Sequence, residues 1–235
     1  MARAMIPVEP GMKIAAQIGA EPGEAELALL QQMGIEYVVL WTTSEKSSPE
    51  YFTSRAKLFG AYGIKIYGFS LSSVHNHQSI VLGLPGRDDK IEEYKRHLRS
   101  MGQAGIPYAT YAHMANGIWS SERETTRGGA PARAFDLAKS PKGYDRGLVW
   151  EGALTHGRVY TPDEMWYNYE YFIRQIAPVA EEAGVRIGIH PDDPPVDGLG
   201  GVPRCIFSSF GGYQRALDIA NSPNIGVCLC AGCWL

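Results

Sequence analysis

Short apolar runs alternate with longer amphipathic stretches along most of this 235-residue chain. The apolar runs have the length and composition of buried strands, and glycine follows most of the amphipathic stretches, as it commonly follows helices. Hydrophobic strands that alternate with helices are typical of a parallel sheet covered by helices. The pattern predicts six strands, at residues 12–19, 37–43, 65–72, 108–114, 186–190 and 226–230.

The connections between these elements fall into two length classes. Those after helices have two to four residues, whereas those after strands three, four and five are long and span 75–86, 116–160 and 191–207. This asymmetry is typical of a (β/α) barrel of the TIM type, in which the active site lies at the C-terminal ends of the strands. A doubly wound α/β sheet competes, but no Gly-x-Gly-x-x-Gly follows the first strand. We therefore predict an α/β barrel in a single domain, residues 1–235, with 116–160 inserted over the active-site face.

The number of predicted strands falls short of a closed barrel. A TIM-type barrel has eight strands, and the pattern supplies six. The sequence thus predicts that the last two βα units are missing and that two sheet edges need cover. A second copy of the chain is the simplest cover, so we expect a homo-oligomer and no competent enzyme from the isolated monomer.

Composition narrows the classes of partner. The net charge of −3 gives no support for nucleic acid or an anionic membrane as a partner. No run of about 18 apolar residues is present, so no membrane-spanning helix is expected. Cys228 and Cys230 are too close on one strand for an ordinary disulfide, which favours a reducing, cytoplasmic setting. We interpret Cys228 as a core residue, and Cys205 and Cys233 as loop residues.

Two predicted strand ends carry metal-binding residue types. His190 ends the apolar run 185–189 and precedes Pro-Asp-Asp-Pro-Pro, and Cys230 ends the sixth strand. An imidazole and a thiolate at neighbouring strand ends indicate a mononuclear metal site. Two alternatives stay open: the histidine hydrogen-bonds to Asp192 or Asp193, and the cysteine is a buried thiol. A zinc site built from the clustered cysteines is disfavoured, since no second Cys-x-x-Cys pair accompanies them.

The chain resembles the bacterial mannonate dehydratases, a branch of the xylose-isomerase-like barrels. The matching segments span nearly the whole sequence in the right order. They are Val74–Gly83, Arg87–Lys95, His190-Pro-Asp-Asp-Pro-Pro195, Leu199–Arg204 and Cys230-Ala-Gly232.

The resemblance implies a divalent-metal hydro-lyase that converts D-mannonate to 2-keto-3-deoxy-D-gluconate in hexuronate catabolism. Its metal would be Mn²⁺, with Fe²⁺ or another divalent ion as the alternative, and its first two ligands match His190 and Cys230. The family's other ligands, a histidine and an aspartate, and its acid–base tyrosine lie on later strands than these, so no catalytic acid or base is assigned. The segment Ala109–Met114 departs from the family's Cys-Tyr-Asn-Phe-Met, which leaves the exact sugar acid open.

Seven further residues are candidates for binding a small sugar-acid substrate. Arginines suit a carboxylate, aspartates suit sugar hydroxyls, a tryptophan stacks on a sugar face, and histidines follow strands three and four. Each residue has a structural alternative, such as core packing or a solvated loop charge. The candidates are Trp41, His77 (or its neighbour His75), His113, Arg127, Asp192, Asp193 and Arg204.

Two other functions compete with dehydration. One is a metal-dependent sugar isomerase or epimerase on the same barrel; such enzymes usually use two or more carboxylate ligands, whereas these strand ends offer histidine and cysteine. The other is a catalytically incomplete barrel fragment that folds only as an oligomer. Metal content separates the fragment from the enzymes, and the product separates dehydratase from isomerase.

Overall fold

Strands and helices alternate in the first part of the fold, as the sequence predicts. The computed structural model describes Val8 and residues 10–139, 141–145 and 147–234. Its first elements are β1 (Ala15–Gly19), α1 (Glu24–Gln32), β2 (Tyr37–Thr42), α2 (Pro49–Gly60), β3 (Lys65–Leu71), α3 (Gln78–Leu82), α4 (Arg87–Ala104) and β4 (Tyr108–Tyr111). Helix α3 lies within the 75–86 connection, for which the sequence predicts only a loop.

Residues 116–160 hold more regular structure than the sequence predicts. They contain the short strands β5 (Ile118–Ser120), β6 (Glu124–Thr125), β7 (Pro131–Ala132), β8 (Lys142–Asp145) and β9 (Leu148–Trp150). Strands β5, β8 and β9 form an antiparallel sheet, and β6 pairs with β7 in a hairpin. Strands this short show no clear period in the sequence, yet their pairing satisfies backbone N–H and C=O groups.

The alternation resumes after this insertion. The remaining elements are α5 (Pro162–Ala183), β10 (Arg186–Ile189), β11 (Gly198–Leu199), β12 (Val202–Pro203), α6 (Phe210–Ala220), β13 (Ile225–Val227) and α7 (Ala231–Trp234). Helix α5 begins at a capping box, in which the Thr161 hydroxyl accepts from the Glu164 N–H and the Glu164 carboxylate accepts from the Thr161 N–H. Within the described residues, no helix combines the length and the apolar character needed to cross a bilayer.

One parallel sheet organises the fold. Its strand order is β1-β2-β3-β4-β10-β13, and every neighbouring pair is parallel. The predicted α/β fold with six parallel strands is therefore confirmed. Strands β4 and β13 each end three residues earlier than predicted, at Tyr111 and Val227, because the apolar runs continue beyond the residues that pair.

The outermost strands of the described sheet are β1 and β13. Next to them, Ile14 and Leu229 are each 75% exposed. Unpaired strand edges with apolar side chains beside them are commonly buried against another protein segment or chain. The homo-oligomer stays a prediction, and these edges are where its interface would lie.

Buried aromatic residues fill the space between the sheet and helices α4 and α5. The Phe172 ring of α5 lies 4.7 Å from the Tyr111 ring at the end of β4, and 6.1 Å from the Tyr94 ring of α4. All three side chains are at most 1% exposed. Burial of each side chain contributes roughly 1.5–3 kcal/mol, so this layer fixes the C-terminal end of β4 beside β10.

Gly188 lets a tyrosine lie flat across the opposite face of the sheet. A Cβ at this position would lie 2.5 Å from the hydroxyl oxygen of Tyr108 and 3.2 Å from the Cβ of Cys228. The Tyr108 ring also stacks on the Tyr67 ring, with 5.0 Å between centroids. Because side chains alternate along a strand, His190 follows on the same side as Gly188.

Replacing Gly102 tests the close crossing of α4 and α5. A Cβ there would lie 2.4 Å from the carbonyl oxygen of Ala183, whereas a Cβ at Gly60 in α2 would meet nothing within 4 Å. We expect Gly102→Ala to lower the free energy of unfolding by about 1–3 kcal/mol. Gly60→Ala should raise it by about 0.4–1 kcal/mol, since it restricts the unfolded chain. Urea unfolding measures both, and equal stability of the two variants would contradict the crossing.

Candidate metal centre

His190 lies directly beyond β10, on a backbone that still pairs with its neighbours. Its N–H donates to the carbonyl of Tyr111 at 2.8 Å, and the N–H of Cys228 donates to the carbonyl of Ile189 at 2.9 Å. Strand β10 therefore holds β4 on one side and β13 on the other up to the residue before the histidine. The two strand ends that carry His190 and Cys230 are direct neighbours in the sheet.

The imidazole of His190 is oriented by its own loop. Its Nδ1 lies 2.8 Å from the carbonyl oxygen of Pro191, and since a carbonyl only accepts, Nδ1 carries the proton and donates. The Nε2 atom is then the one with a free lone pair. This arrangement, a ring N–H held by a backbone carbonyl, is how proteins orient metal-binding histidines. The alternative in which His190 hydrogen-bonds to Asp192 or Asp193 is not what the structure shows.

Cys230 and Cys233 meet at the turn that starts α7. The Cys233 N–H donates to the Cys230 carbonyl at 3.1 Å, and the two sulfurs are 3.4 Å apart. Ligand atoms of His190, Cys230 and Cys233 all lie within 4.8 Å of one another, and all three residues are half-buried. The interpretation of Cys233 as a loop residue is wrong, because α7 turns the chain back and brings its thiol onto Cys230. Cys228, predicted in the core, is half-buried.

The two thiols interact with each other. Burial raises the pKa of the Cys233 thiol above its ordinary value, and its hydrogen bond with Cys230 and the nearby charge of Asp193 raise it further. Without a cation, Cys233 is therefore a neutral thiol at neutral pH. A cation bound by these sulfurs would displace the thiol proton, as metal ions do.

The dimensions of the cluster fit a divalent cation. With metal–sulfur bonds near 2.3 Å and metal–nitrogen bonds near 2.1 Å, tetrahedral ligand atoms lie roughly 3.5–3.8 Å apart. The two sulfurs are 3.4 Å apart, and all three ligand atoms lie within 4.8 Å of one another. Small side-chain rotations would bring these separations to the tetrahedral values. One imidazole and two sulfurs form a donor set suited to transition metals.

The two aspartates after His190 have separate environments. Asp192 is 3% exposed, and burial raises the pKa of its carboxyl to about 6, while the charge of Arg204 and a backbone hydrogen bond from Phe207 act in the opposite direction. Asp193 is half-buried, and its Oδ2 accepts from Arg133 at 2.7 Å. Arg133 belongs to the insertion, so this ion pair joins the insertion to the loop that follows His190.

Arg204, predicted as a clamp for a substrate carboxylate, is directed largely at the surrounding loops. Its guanidinium is 3% exposed. It donates to the carbonyl of Asp193 at 2.8 Å, to the Oδ1 of Asn116 at 3.2 Å and to the carbonyl of Gly117. The loops around the site thus occupy both terminal nitrogens of the guanidinium, whereas its buried Nε has no hydrogen-bond partner among the described residues. The carboxylate clamp stays a prediction.

His113 is buried beside the end of β4, and its predicted substrate contact stays a prediction. It is 6% exposed and its Nδ1 lies 2.6 Å from the Tyr111 hydroxyl oxygen. Its ring packs among Tyr169, Phe172 and Phe207. Because β4 ends at Tyr111, strand alternation no longer governs the direction of this side chain, and burial lowers its pKa to about 3.

Arg127 is exposed in the turn between β6 and β7, a two-residue pairing within the insertion. No hydrogen bond or ion pair joins it to the other candidates among the described residues. Its role in substrate binding stays a prediction.

Trp41 and His77 line two neighbouring cavities beneath the insertion. The first, of about 420 Å³, lies at the ends of β2 and β3, and there the Trp41 ring meets the His75 ring edge-on at 4.9 Å. The second, of about 290 Å³, includes His77, whose Nδ1 also caps α3 by accepting from the Ser79 N–H at 3.3 Å. Further residues from the sheet and the insertion line the first cavity, and the sequence did not single most of them out: Ser72, His75, Asn76, Ile118, Tyr144, Asp145, Leu148 and Val149.

The six-stranded parallel sheet and its helices define an α/β protein with a TIM-barrel type of fold. A xylose isomerase domain protein from Planctomyces limnophilus shares this fold, with a TM-score of 0.54 at 10% identity over 94% of this chain and 63% of its own. The mannonate dehydratase from Streptococcus suis serotype 2 aligns with a TM-score of 0.79 at 27% identity, over 96% of this chain and 66% of its own.

Sequence comparison specifies the family. The model of the D-mannonate dehydratase (UxuA) family matches residues 12–142 and 154–234. The mannonate dehydratase of Streptococcus equi subsp. zooepidemicus is 36% identical over 181 residues, which are 70% of this chain and 49% of that protein. The chain belongs to the D-mannonate dehydratase family. It spans about half the length of the curated relatives it matches.

Proposed function

We propose that this chain takes part in the metal-dependent dehydration of D-mannonate to 2-keto-3-deoxy-D-gluconate, a hydro-lyase reaction. The observation that carries the proposal is the meeting of His190 and Cys230 at adjacent strand ends, in a chain of the D-mannonate dehydratase family. Strand C-terminal ends are where barrels of this type hold their active sites.

His190 and Cys230 are the residues that we propose hold the cation. The resemblance implies Mn²⁺, with Fe²⁺ as the alternative. A cation held there would supply stabilisation of the negative charge that develops when the C2 proton of the substrate leaves. The hydrogen bond from His190 Nδ1 to the Pro191 carbonyl keeps Nε2 directed at the ligand position. The resemblance implies that the general acid and base is a tyrosine on a later strand than these.

The cavity at Trp41 is the proposed space for the sugar chain. The indole and the His75 ring form one side, and the insertion forms the other. An aromatic wall excludes water and packs against the C–H face of a sugar. His77 lines the adjoining cavity, and Asp193 keeps one carboxylate oxygen besides the one that accepts from Arg133. These residues are proposed to bind hydroxyl groups of the substrate.

The setting of the protein is part of the same proposal. We infer a cytoplasmic homo-oligomer that acts on a small sugar acid, with neither nucleic acid nor membrane as partner. The net charge of −3 and the four free cysteines support this setting. The exposed apolar residues beside β1 and β13 support an interface at those edges.

Metal binding and product analysis together test the function. We expect His190→Ala and Cys230→Ser each to weaken Mn²⁺ binding by about 100-fold or more, since ligand loss costs more than loss of a supporting residue. Both should abolish formation of 2-keto-3-deoxy-D-gluconate from D-mannonate. Lys57→Ala is the control, because Lys57 is exposed on helix α2, and it should leave both properties unchanged.

Size-exclusion chromatography before the assay separates the competing functions. We expect activity in an oligomeric fraction and none in the monomer. A chain that binds the metal but forms no 2-keto-3-deoxy-D-gluconate in any fraction would overturn the dehydratase proposal and favour a catalytically incomplete barrel. Conversion of D-mannonate or a free sugar into an isomer would instead favour the isomerase or epimerase.

A further inference from the structure

The position of Cys233 adds a second sulfur to the candidate metal centre. Its Sγ lies 3.4 Å from the Cys230 Sγ, and its ligand atom is within 4.8 Å of that of His190 as well. The backbone fixes this approach, since the Cys233 N–H donates to the Cys230 carbonyl at 3.1 Å in the first turn of α7. The spacing Cys230-Ala-Gly-Cys233 thus places both sulfurs on one side of a tight turn, as cysteine pairs that bind metal do.

We propose that Cys233 is a third metal-binding residue, and that His190, Cys230 and Cys233 form an imidazole–dithiolate site that selects a thiophilic divalent cation of the Zn²⁺ class over Mn²⁺. The inference rests on the metal site of the proposed function and changes which cation that site prefers. Thiolate ligands favour zinc-like ions, whereas oxygen-rich sites suit manganese. A second sulfur therefore shifts selectivity away from the cation that the family resemblance implies.

Three features of the cluster favour binding over simple packing. The ligand atoms of all three residues converge although the residues are only half-buried, so a cation can enter from solvent. The His190 ring is already held by Pro191, which leaves Nε2 without a competing partner among the hydrogen bonds of the described residues. The sulfur separation is close to the roughly 3.7 Å expected for two thiolates on one tetrahedral ion.

The binding step is balanced without an oxidant. Two S–H bonds break, two metal–sulfur bonds form, and two protons pass to solvent. The imidazole contributes the Nε2 lone pair and releases no proton, because its one proton stays on Nδ1, which donates to the Pro191 carbonyl.

The test compares zinc and manganese binding in matched cysteine variants. The full chain is stripped of metal, kept reduced with a phosphine, and titrated with zinc chloride or manganese chloride against a chromophoric chelator. Cys233→Ser removes the sulfur with almost no change in volume, and Cys233→His restores a ligand. Cys205→Ser is the control, since the Cys205 thiol lies by the Pro162 carbonyl at 3.9 Å, outside the cluster.

We expect the wild-type chain and Cys205→Ser to bind zinc more tightly than manganese. Cys233→Ser should weaken zinc binding by about 100-fold or more and reduce the ratio of zinc to manganese affinity. Cys233→His should recover part of the lost zinc affinity. With cobalt chloride, the thiolate-to-metal charge-transfer band should lose about half its intensity in Cys233→Ser, because one of two thiolates is gone. Circular dichroism confirms that the variants are folded.

Zinc affinity and a cobalt band that survive Cys233→Ser would overturn the inference, as would a wild-type chain that prefers manganese. Formation of a Cys230–Cys233 disulfide under the reducing conditions, in place of metal binding, would overturn it too. Dehydration of D-mannonate is measured separately. Its absence overturns the proposed function and leaves the zinc result standing, whereas zinc binding that is indifferent to Cys233 overturns only the present inference.

Discussion

Replacing Arg204 with Met is expected to lower the free energy of unfolding by about 3–5 kcal/mol, which is the usual cost of removing one partner from a buried charge cluster. Arg204 is 3% exposed. Its guanidinium joins the start of the insertion to the loop that follows the candidate metal ligand, because it donates to Asn116 and Gly117 and to the carbonyl of Asp193. Methionine keeps much of the volume but leaves the Asn116 Oδ1 and the Gly117 carbonyl without this donor. The Asp193 carbonyl keeps only the Trp119 N–H.

The loss of charge adds to the loss of hydrogen bonds. Asp192 is 3% exposed, and the charge of Arg204 opposes the rise in the pKa of its carboxyl that burial causes. Without the arginine, Asp192 must either stay protonated or remain charged with no partner. Arg204→Lys should be intermediate, because a lysine keeps the charge but not the planar fork that reaches several carbonyls.

Arg127→Met is the matched control for this prediction. The same chemical change at an exposed turn should alter the free energy of unfolding by at most about 0.5 kcal/mol. Urea denaturation followed by tryptophan fluorescence measures all three variants. If Arg204→Met stays within about 1 kcal/mol of wild type, the guanidinium does not join these loops as described.

Acidification is expected to destabilise the protein steeply, because two histidines are buried in the neutral form. Burial lowers the pKa of His113 to about 3 and that of His97 to about 4, while the Phe69 carbonyl and the charge of Glu93 oppose the shift at His97. In the unfolded chain both groups titrate near 6.5. Between about pH 4 and 6.5, the unfolded chain therefore binds two protons that the native protein does not bind.

Proton linkage gives the direction and size of the change in unfolding free energy with pH. Stability is fully present above pH 6.5 and falls as pH decreases, by about 1.4 kcal/mol per pH unit for each histidine. From pH 6.5 to pH 5 the two histidines together remove about 3 kcal/mol, a large part of the stability of a typical domain. Proton uptake by the buried Asp192, whose pKa is raised to about 6, offsets part of this loss. The environments explain why neither accepts a proton easily: His113 packs among aromatic rings, and His97 Nδ1 lies 2.7 Å from the Ser47 hydroxyl oxygen.

Urea unfolding across this pH range checks the prediction. Glutamine cannot take up a proton, so His113→Gln should reduce the slope of unfolding free energy against pH by about 1.4 kcal/mol per unit. His97→Gln should reduce this slope by a similar amount. In the double variant, these two sites should contribute almost nothing to the dependence of the unfolding free energy on pH. Because lost packing lowers the unfolding free energy equally at every pH, it does not affect the slopes that are compared. Unchanged slopes in both single variants would show that these histidines are protonated in the native protein.

The sequence by itself determined the α/β fold, the parallel strands and the two strand ends that carry His190 and Cys230. Those features rest on local properties: apolar runs of strand length, glycines after helices and prolines that stop a strand. They are present in the residues before any tertiary contact forms. The structure changed the strand boundaries by a few residues but not the order of the elements.

Only the tertiary structure decided what lies beside those strand ends. His113 packs among aromatic residues of α5 and the loop before α6, because side-chain alternation stops where β4 stops pairing. Arg204 is buried because the insertion, distant in sequence, supplies its acceptors. Cys233 reaches Cys230 because a short helix turns the chain back. Each outcome depends on contacts between segments far apart or on the path of a loop, and no periodicity in the sequence records either one.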